Sequence, residues 1–184
     1  MDNIIKKHKK EFEKAVKFGK KDMASIRTNR ASSSLVNNIL VESYGTKTPL
    51  EEVASISVPD AHTIVVNPWD KNIVKEVEKA LSKADLGANP NVGDDNVIRI
   101  NLPPLNQETR EKLTKVLHEK LEKARESLRS IRDKVKSEIE EAERKDDITE
   151  DDKYRLIDKL NKKTKEKQKE LEDFAKDKEE KIKG

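Results

Sequence analysis

The sequence predicts an α+β protein: an elongated antiparallel three-helix bundle with a small β-rich domain inserted after its first helix. Three observations carry this. Of 184 residues, 42% are charged, 33% are hydrophobic and 3% are aromatic, too little apolar mass for one large round core. Apolar residues in both end regions recur in alternating steps of three and four, the spacing of a helical seam. The middle switches to β-branched residues at period two, punctuated by proline and glycine. Composition alone would also suit a disordered chain; the periodicity decides against it.

The elements follow in order. Residues 1–30 place Ile5, His8, Phe12, Ala15 or Val16, Gly19, Met23 and Ile26 on one helical face, with Gly19 as its weak point. Strand-like segments are 38–44 ending at Gly45, 53–58 stopped by Pro59, 63–66 stopped by Pro68, and 97–102 ending at Pro103 and Pro104. Between the last two, Lys71 to Ala84 reads as a helix with Ile73 or Val74, Val77, Leu81 and Ala84 on one face. Asp70 is its N-cap and Gly87 follows its end. From Asn106 the stripe Leu113, Leu117, Leu121, Ala124, Leu128, Ile131, Val135, Ile139 and Ala142 has a mean step of about 3.6, that of an α-helix. Thr149 with Asp152 has capping-box form and opens a last helix. That helix carries the thinner stripe Ile157, Leu160, Thr164, Gln168, Leu171, Phe174 or Ala175, and Ile182.

No helix buries its stripe alone, so 1–30, 106–145 and 149–184 are expected to pack as a rod of helices, each roughly 45 to 60 Å long. The expected domains are therefore 1–30 with 106–184, a discontinuous bundle, and 31–105, an insert joined to it by two strands. Such a double connection permits hinge rotation.

Several classes of function are not expected. Without cysteine there is no disulfide, thiol nucleophile or Cys-ligated zinc. No apolar run approaches the roughly 20 residues of a membrane span, and the amino terminus has no signal-peptide core. A soluble cytoplasmic protein is expected. His8, His62 and His118 have no metal-ligand spacing and read as surface or boundary residues. Glu150, Asp151 and Asp152 open a helix, where the macrodipole favours acids. Trp69 reads as a packing anchor for the insert, and Tyr44-Gly45 as a strand end and turn. No enzyme, cofactor or metal is expected.

The formal charge of +3 is unevenly divided. Residues 1–30 carry 10 basic and 4 acidic groups, residues 31–105 carry 6 and 10, and residues 106–184 carry 24 and 23. A basic rod and an acidic insert suggest a polyanion for one and a different partner for the other. Arg110, Arg125, Arg129 and Arg132 gather on the second long helix; Arg27 and Arg30 repeat the three-residue spacing of Arg129 and Arg132. Arginine's planar fork suits phosphate and base edges. RNA binding is one reading, and ion pairing within the bundle with Glu122, Glu126 or Asp133 is the other.

Six segments, in this order and at these separations, resemble the bacterial ribosome recycling factor family over essentially the whole chain. They are Ile26-Arg27-Thr28-Asn29-Arg30-Ala31-Ser32, Tyr44-Gly45-Thr46-Lys47-Thr48-Pro49-Leu50, Asp85-Leu86-Gly87-Ala88-Asn89-Pro90-Asn91, Leu102-Pro103-Pro104-Leu105, Arg129-Ser130-Ile131-Arg132 and Ile148-Thr149-Glu150-Asp151-Asp152. The resemblance implies an L-shaped molecule, a three-helix bundle bearing a β/α/β sandwich. It implies binding to the post-termination ribosome and, with elongation factor G and GTP hydrolysis, splitting of the subunits with release of mRNA and tRNA. It implies that the bundle lies on large-subunit rRNA across the tRNA sites, with Arg132 as principal contact, Arg129 and Arg110 beside it, and Arg27 and Arg30 supporting that end. It implies a hinge of Arg30, Ala31, Ser32, Leu102, Pro103, Pro104 and Leu105. A monomer without membrane attachment is expected. The alternative is a coiled-coil scaffold or adaptor with no ribosomal role, showing no salt-sensitive RNA binding. Three features depart from the family pattern: Asn29 replaces a usual glycine, Asp133 a usual basic residue, and the tail Lys181-Ile182-Lys183-Gly184 is more basic and less apolar than usual. Asn29 suits a left-handed conformation better than most residues.

Overall fold

A computed structural model describes residues 3–84 and 86–184. Asp85 of the third matching segment, and Met1 and Asp2, lie outside the described residues. The chain forms two compact units: Met1–Met23 with Lys115–Asp177, and Ala24–Thr114 with Lys178–Gly184. The division falls inside the helices, so the ends of all three long stripes cluster with the smaller domain.

The amino-terminal stripe forms two helices, α1 (Asn3–Lys7) and α2 (Lys9–Ala24), rather than one helix through residue 30. The break at His8 comes where its side chain, 1% exposed, turns to carboxylates: one ring nitrogen meets Glu11 at 3.0 Å and the other Glu138 at 3.0 Å. His8 is thus neither surface nor boundary, because acids on two elements satisfy it inside. The hydrogen bond from His8 lowers the Glu138 carboxyl's pKa. Ile5, Phe12, Val16, Gly19 and Met23 are buried as the stripe predicts, and Ile26 is buried beyond the helix end.

In the helical unit α2 packs with α4 (Gln107–Arg144) and α5 (Glu150–Lys183). Cross-links give the directions. His8 meets Glu138 and Lys120 meets Asp22, so α2 and α4 are antiparallel. Arg132 meets Asn161 and Lys153 meets Glu143, so α4 and α5 are antiparallel too. Gly19 is a point of close approach, not a weak point. A Cβ there would lie 2.8 Å from Ala124 Cβ and 3.2 Å from Leu171 Cδ2. The core seam takes Leu117, Leu121, Ala124, Leu128, Val135 and Ile139 from α4, with Leu156, Leu160, Leu171 and Ala175 from α5. Leu156 is buried where the sequence pointed to Ile157. Thr149 Oγ1 accepts the Asp152 N–H at 3.2 Å and donates to its carboxylate at 3.0 Å, one half of a capping box.

The second unit has six strands where four were expected: β1 (Leu40–Ser43), β2 (Thr46–Pro49), β3 (Ala54–Ser57), β4 (Thr63–Pro68), β5 (Pro90–Val92) and β6 (Ile98–Asn101). β1 and β2 form a two-stranded sheet; the other four run antiparallel in the order β3-β4-β6-β5. Helix α3 (Val74–Lys83) follows a 3-10 turn, Lys71–Ile73, capped by Asp70, which accepts the Asn72 N–H at 2.8 Å. It touches both β1 and β5. Val74, Val77 and Leu81 join Val41, Leu50, Ile64, Val66, Ile98 and Ile100 in one apolar core. Trp69 corrects an expectation: it is 69% exposed, because this core is filled by aliphatic side chains.

This unit also holds the helix ends. The Ala24 carbonyl closing α2 accepts from Ser34 Oγ at 3.2 Å and Lys178 Nζ at 2.8 Å. Asn29 is not left-handed; positive φ among the described non-glycine residues falls at Tyr44, Asn96 and Asp146. Its N–H donates to the Lys181 carbonyl at 3.3 Å and its amide to the Ile182 carbonyl at 3.5 Å. With Ile182 fully buried, the basic tail is seated by one apolar residue and backbone carbonyls.

Candidate nucleic-acid interface

The helical unit brings together two of the five arginines singled out as RNA contacts. Arg129 and Arg132, three apart on α4, line one open groove with Asp158, Asn161, Lys162, Thr164, Lys165 and Gln168 of α5. Arg132 is held in place: Nε donates to Asn161 Oδ1 at 3.2 Å across the helix pair, and Nη1 to Asp133 Oδ1 at 2.7 Å. Arg129 is freer, reaching Glu122 only at 3.8 Å. Lys162 pairs with Asp158 at 2.8 Å, while Lys165 makes no ion pair among the described residues. The groove thus presents two guanidinium groups and two ammonium groups against one lining acid, with Asn161 and Gln168 able to donate or accept hydrogen bonds. Such groups are of the kind that hydrogen-bond and pair with phosphates and base edges. The α5 lysines have no feature in the sequence that separates them from the many other lysines of that helix. Their i,i+3 spacing was visible, but their place opposite Arg129 and Arg132 comes from packing.

Arg125 follows the alternative reading. It bonds Glu122 on its own helix and Glu172 on α5, and the Glu122 bond raises its pKa most. A cation paired with two carboxylates is little available to a polyanion.

Arg27, Arg30 and Arg110 belong to the second unit. Arg27 donates to the Leu86 carbonyl at 3.1 Å, the Gly87 carbonyl at 3.3 Å and the Pro103 carbonyl. Partial burial lowers its pKa. Its fork ties three backbone carbonyls together. Arg30 is exposed and Arg110 half-buried. Asn106 caps α4 by accepting the Thr109 N–H at 2.8 Å.

The expected hinge residues also lie in this unit. The Ala31 N–H donates to the Ala61 carbonyl and the Leu102 N–H to the His62 carbonyl, both at 2.7 Å. Leu102 and Leu105 are buried, while Pro103 and Pro104 are exposed and have no N–H to anchor. Among the described residues no cluster of metal-ligating side chains occurs, and no helix is long and apolar enough to cross a membrane.

Comparison with known proteins fits this arrangement. Residues 19–182 match the family model described as ribosome recycling factor. The ribosome-recycling factor of Halothermothrix orenii is 43% identical over 157 residues, 85% of this chain and 84% of that protein. That of Aquifex aeolicus is 43% identical over 164 residues, 89% and 86% of the two chains. A solution structure of the ribosome recycling factor aligns with a TM-score of 0.74 at 40% identity, covering 98% of this chain and 96% of that one. The T. thermophilus ribosome recycling factor, from models with E. coli elongation factor G bound to the E. coli post-termination complex, aligns with a TM-score of 0.68 at 30% identity. It covers 100% and 98% of the two chains. With the family model spanning nearly the whole chain and relatives above 40% identity, the chain belongs to the ribosome recycling factor family.

Proposed function

We propose that this chain recycles ribosomes. It binds the post-termination ribosome and, with elongation factor G and GTP hydrolysis, separates the subunits so that mRNA and tRNA are released. The observation that carries the reading is the match of residues 19–182 to the family, together with a structural relative seen beside elongation factor G on a post-termination complex. A scaffold without a ribosomal role is not favoured by either.

The groove between α4 and α5 then takes the role of the rRNA contact on the large subunit. Arg132, held by Asn161, presents its fork in a fixed orientation, and this lessens the entropy lost on binding. Arg129 and Lys165 supply mobile charge beside it. Arg27 acts indirectly, by bracing the backbone at Leu86, Gly87 and Pro103, with Arg30 and Arg110 nearby in sequence to the connections. The chain works as two parts, 1–30 with 106–184 and 31–105, bending at Arg30, Ala31, Ser32 and Leu102, Pro103, Pro104, Leu105. The paired prolines limit where one connection flexes, because each fixes its own φ and restricts the residue before it. GTP hydrolysis by the elongation factor supplies the energy, so no residue here has to make or break a bond. The proposed place of action is the cytoplasm, as a monomer.

The test is a reaction of post-termination ribosomes, elongation factor G and GTP followed by light scattering. Addition of this protein is expected to produce subunits. No splitting above the rate without it would sink the proposal.

A further inference from the structure

We propose a second RNA-binding surface, on the insert: the groove between the β1–β2 hairpin and α3, which would take a single-stranded RNA segment. Its lining includes Lys47 of β2, Lys75, Lys79 and Lys83 of α3, Tyr44 at the hairpin turn, and Glu42 and Glu76. The insert as a whole is acidic, yet four of its six basic residues converge here. None of the four makes an ion pair among the described residues. Lys75, Lys79 and Lys83 are spaced i,i+4, so their Cα atoms climb one face of α3 in steps of about 6 Å. That gives a row of point charges along which an extended phosphate backbone can run.

Tyr44 is the second, independent observation. Tyr44 and Gly45 link β1 to β2 with φ of 50° and 80°. A two-residue turn with both φ positive ordinarily takes Asn, Asp or Gly at its first position. Tyrosine there is strained, and it gains little burial in return, since it is 78% exposed. Its hydroxyl donates to Asp70, which is anchored in turn by the Asn72 N–H. The ring is therefore held out in a fixed orientation beside the lysine row. Exposed aromatics next to a cationic track are the means by which single strands are held, bases stacking while phosphates follow the charge. An acidic peptide would use the lysines but would not need the ring. Duplex RNA would not offer a base face to stack on.

The proposal is separate from the α4–α5 groove, and the experiment isolates it. The full chain carrying Arg129→Ala and Arg132→Ala is titrated into a labelled oligoadenylate and followed by anisotropy. The chain's single tryptophan, Trp69, sits next to Asp70 in sequence and reports the location by its emission. Salt-sensitive binding with a change in Trp69 emission is expected to persist. Adding Lys75→Ala, Lys79→Ala and Lys83→Ala should raise the midpoint about tenfold or more. It should also flatten the log–log salt dependence by about 2, as loss of three single-strand phosphate contacts requires. Tyr44→Ala should weaken binding about fivefold or more, and Tyr44→Phe, which keeps the ring but not its bond to Asp70, should weaken it less. Circular dichroism melts, unchanged in the lysine variant, show that the fold is kept. The proposal is overturned by an unchanged midpoint in the triple-lysine variant, or by no binding beyond the Arg129 and Arg132 surface. Equal binding of oligoglutamate with indifference to Tyr44→Ala would also overturn it.

Discussion

The helical unit and residues 31–105 handle charge in opposite ways. In the helical unit most of the cations near the seam are matched: Lys20 with Glu170, Lys120 with Asp22, Arg125 with Glu122 and Glu172, Lys134 with Glu11, Lys153 with Glu143. Between residues 31 and 105 the one ion pair among the described residues is Arg99 with Asp95, and it holds the Asp95 carboxyl down to about 2. The lesson is that net charge does not measure available charge. Near the seam the rod's own acids hold most cations, while Arg129, Arg132 and Lys165 gather in one open groove. An acidic insert can still present an unpaired lysine row. The difference has a packing cause. Three helices joined along a thin seam have wide flanks on which side chains of opposite sign meet, whereas the insert's core closes on aliphatic side chains alone.

The largest of the effects at fixed pH bears on that seam. Gly19→Ala gains about 1 kcal/mol of helix propensity, but its Cβ would press on Ala124 Cβ, which has no rotamer to yield. Overpacking of this kind costs about 1–3 kcal/mol. A net loss of up to about 2 kcal/mol is expected in denaturant unfolding, and a clear gain would show that the seam is loosely packed at Gly19. A smaller effect sharpens the account of matched charge. Asp133→Ala frees one Arg132 nitrogen and removes an acid from the groove's edge, so affinity for large subunits should rise about two- to fivefold in pelleting assays, in line with an exposed pair worth up to about 1 kcal/mol. Asp133→Lys should raise it further.

A pH-dependent effect concerns Lys178, buried beneath the end of α2. Desolvation lowers its pKa to about 8 from an ordinary 10.5. Between those values the unfolded chain binds more protons than the folded one, so this group adds stability as pH rises through that window. The stability of the wild type relative to Lys178→Met should therefore climb between about pH 8 and 10.5 and be flat below. A flat difference across the window would mean that the amine is solvated.

Much of this fold was legible because a seam and a pleat have different periods. The stripe from Leu117 to Ile139 and the alternation at Ile98 and Ile100 needed no tertiary information. β2 was missed because Thr46-Lys47-Thr48-Pro49 has no apolar alternation; it is held by its register with β1. β5 begins with Pro90, which an edge strand tolerates at its first residue. Trp69 was misread because an aromatic in an apolar-poor sequence looks like a core residue. His8 lay on the stripe, but Glu138, its distant partner, could not be found from spacing. Of the candidate site, Arg129 and Arg132 were legible from their shared face. Lys162, Lys165 and Asn161 were not, because they face those arginines only once α4 and α5 pair.

The most direct measurement is co-sedimentation of the protein with large ribosomal subunits at low and raised salt, comparing Arg132→Ala with Arg125→Ala. Arg132→Ala is expected to weaken binding by about 1–3 kcal/mol and to reduce its salt dependence. Arg125→Ala, whose charge is already matched by two carboxylates, should change little. Equal losses in the two variants, or full affinity in Arg132→Ala, would contradict the assignment of RNA binding to the α4–α5 groove.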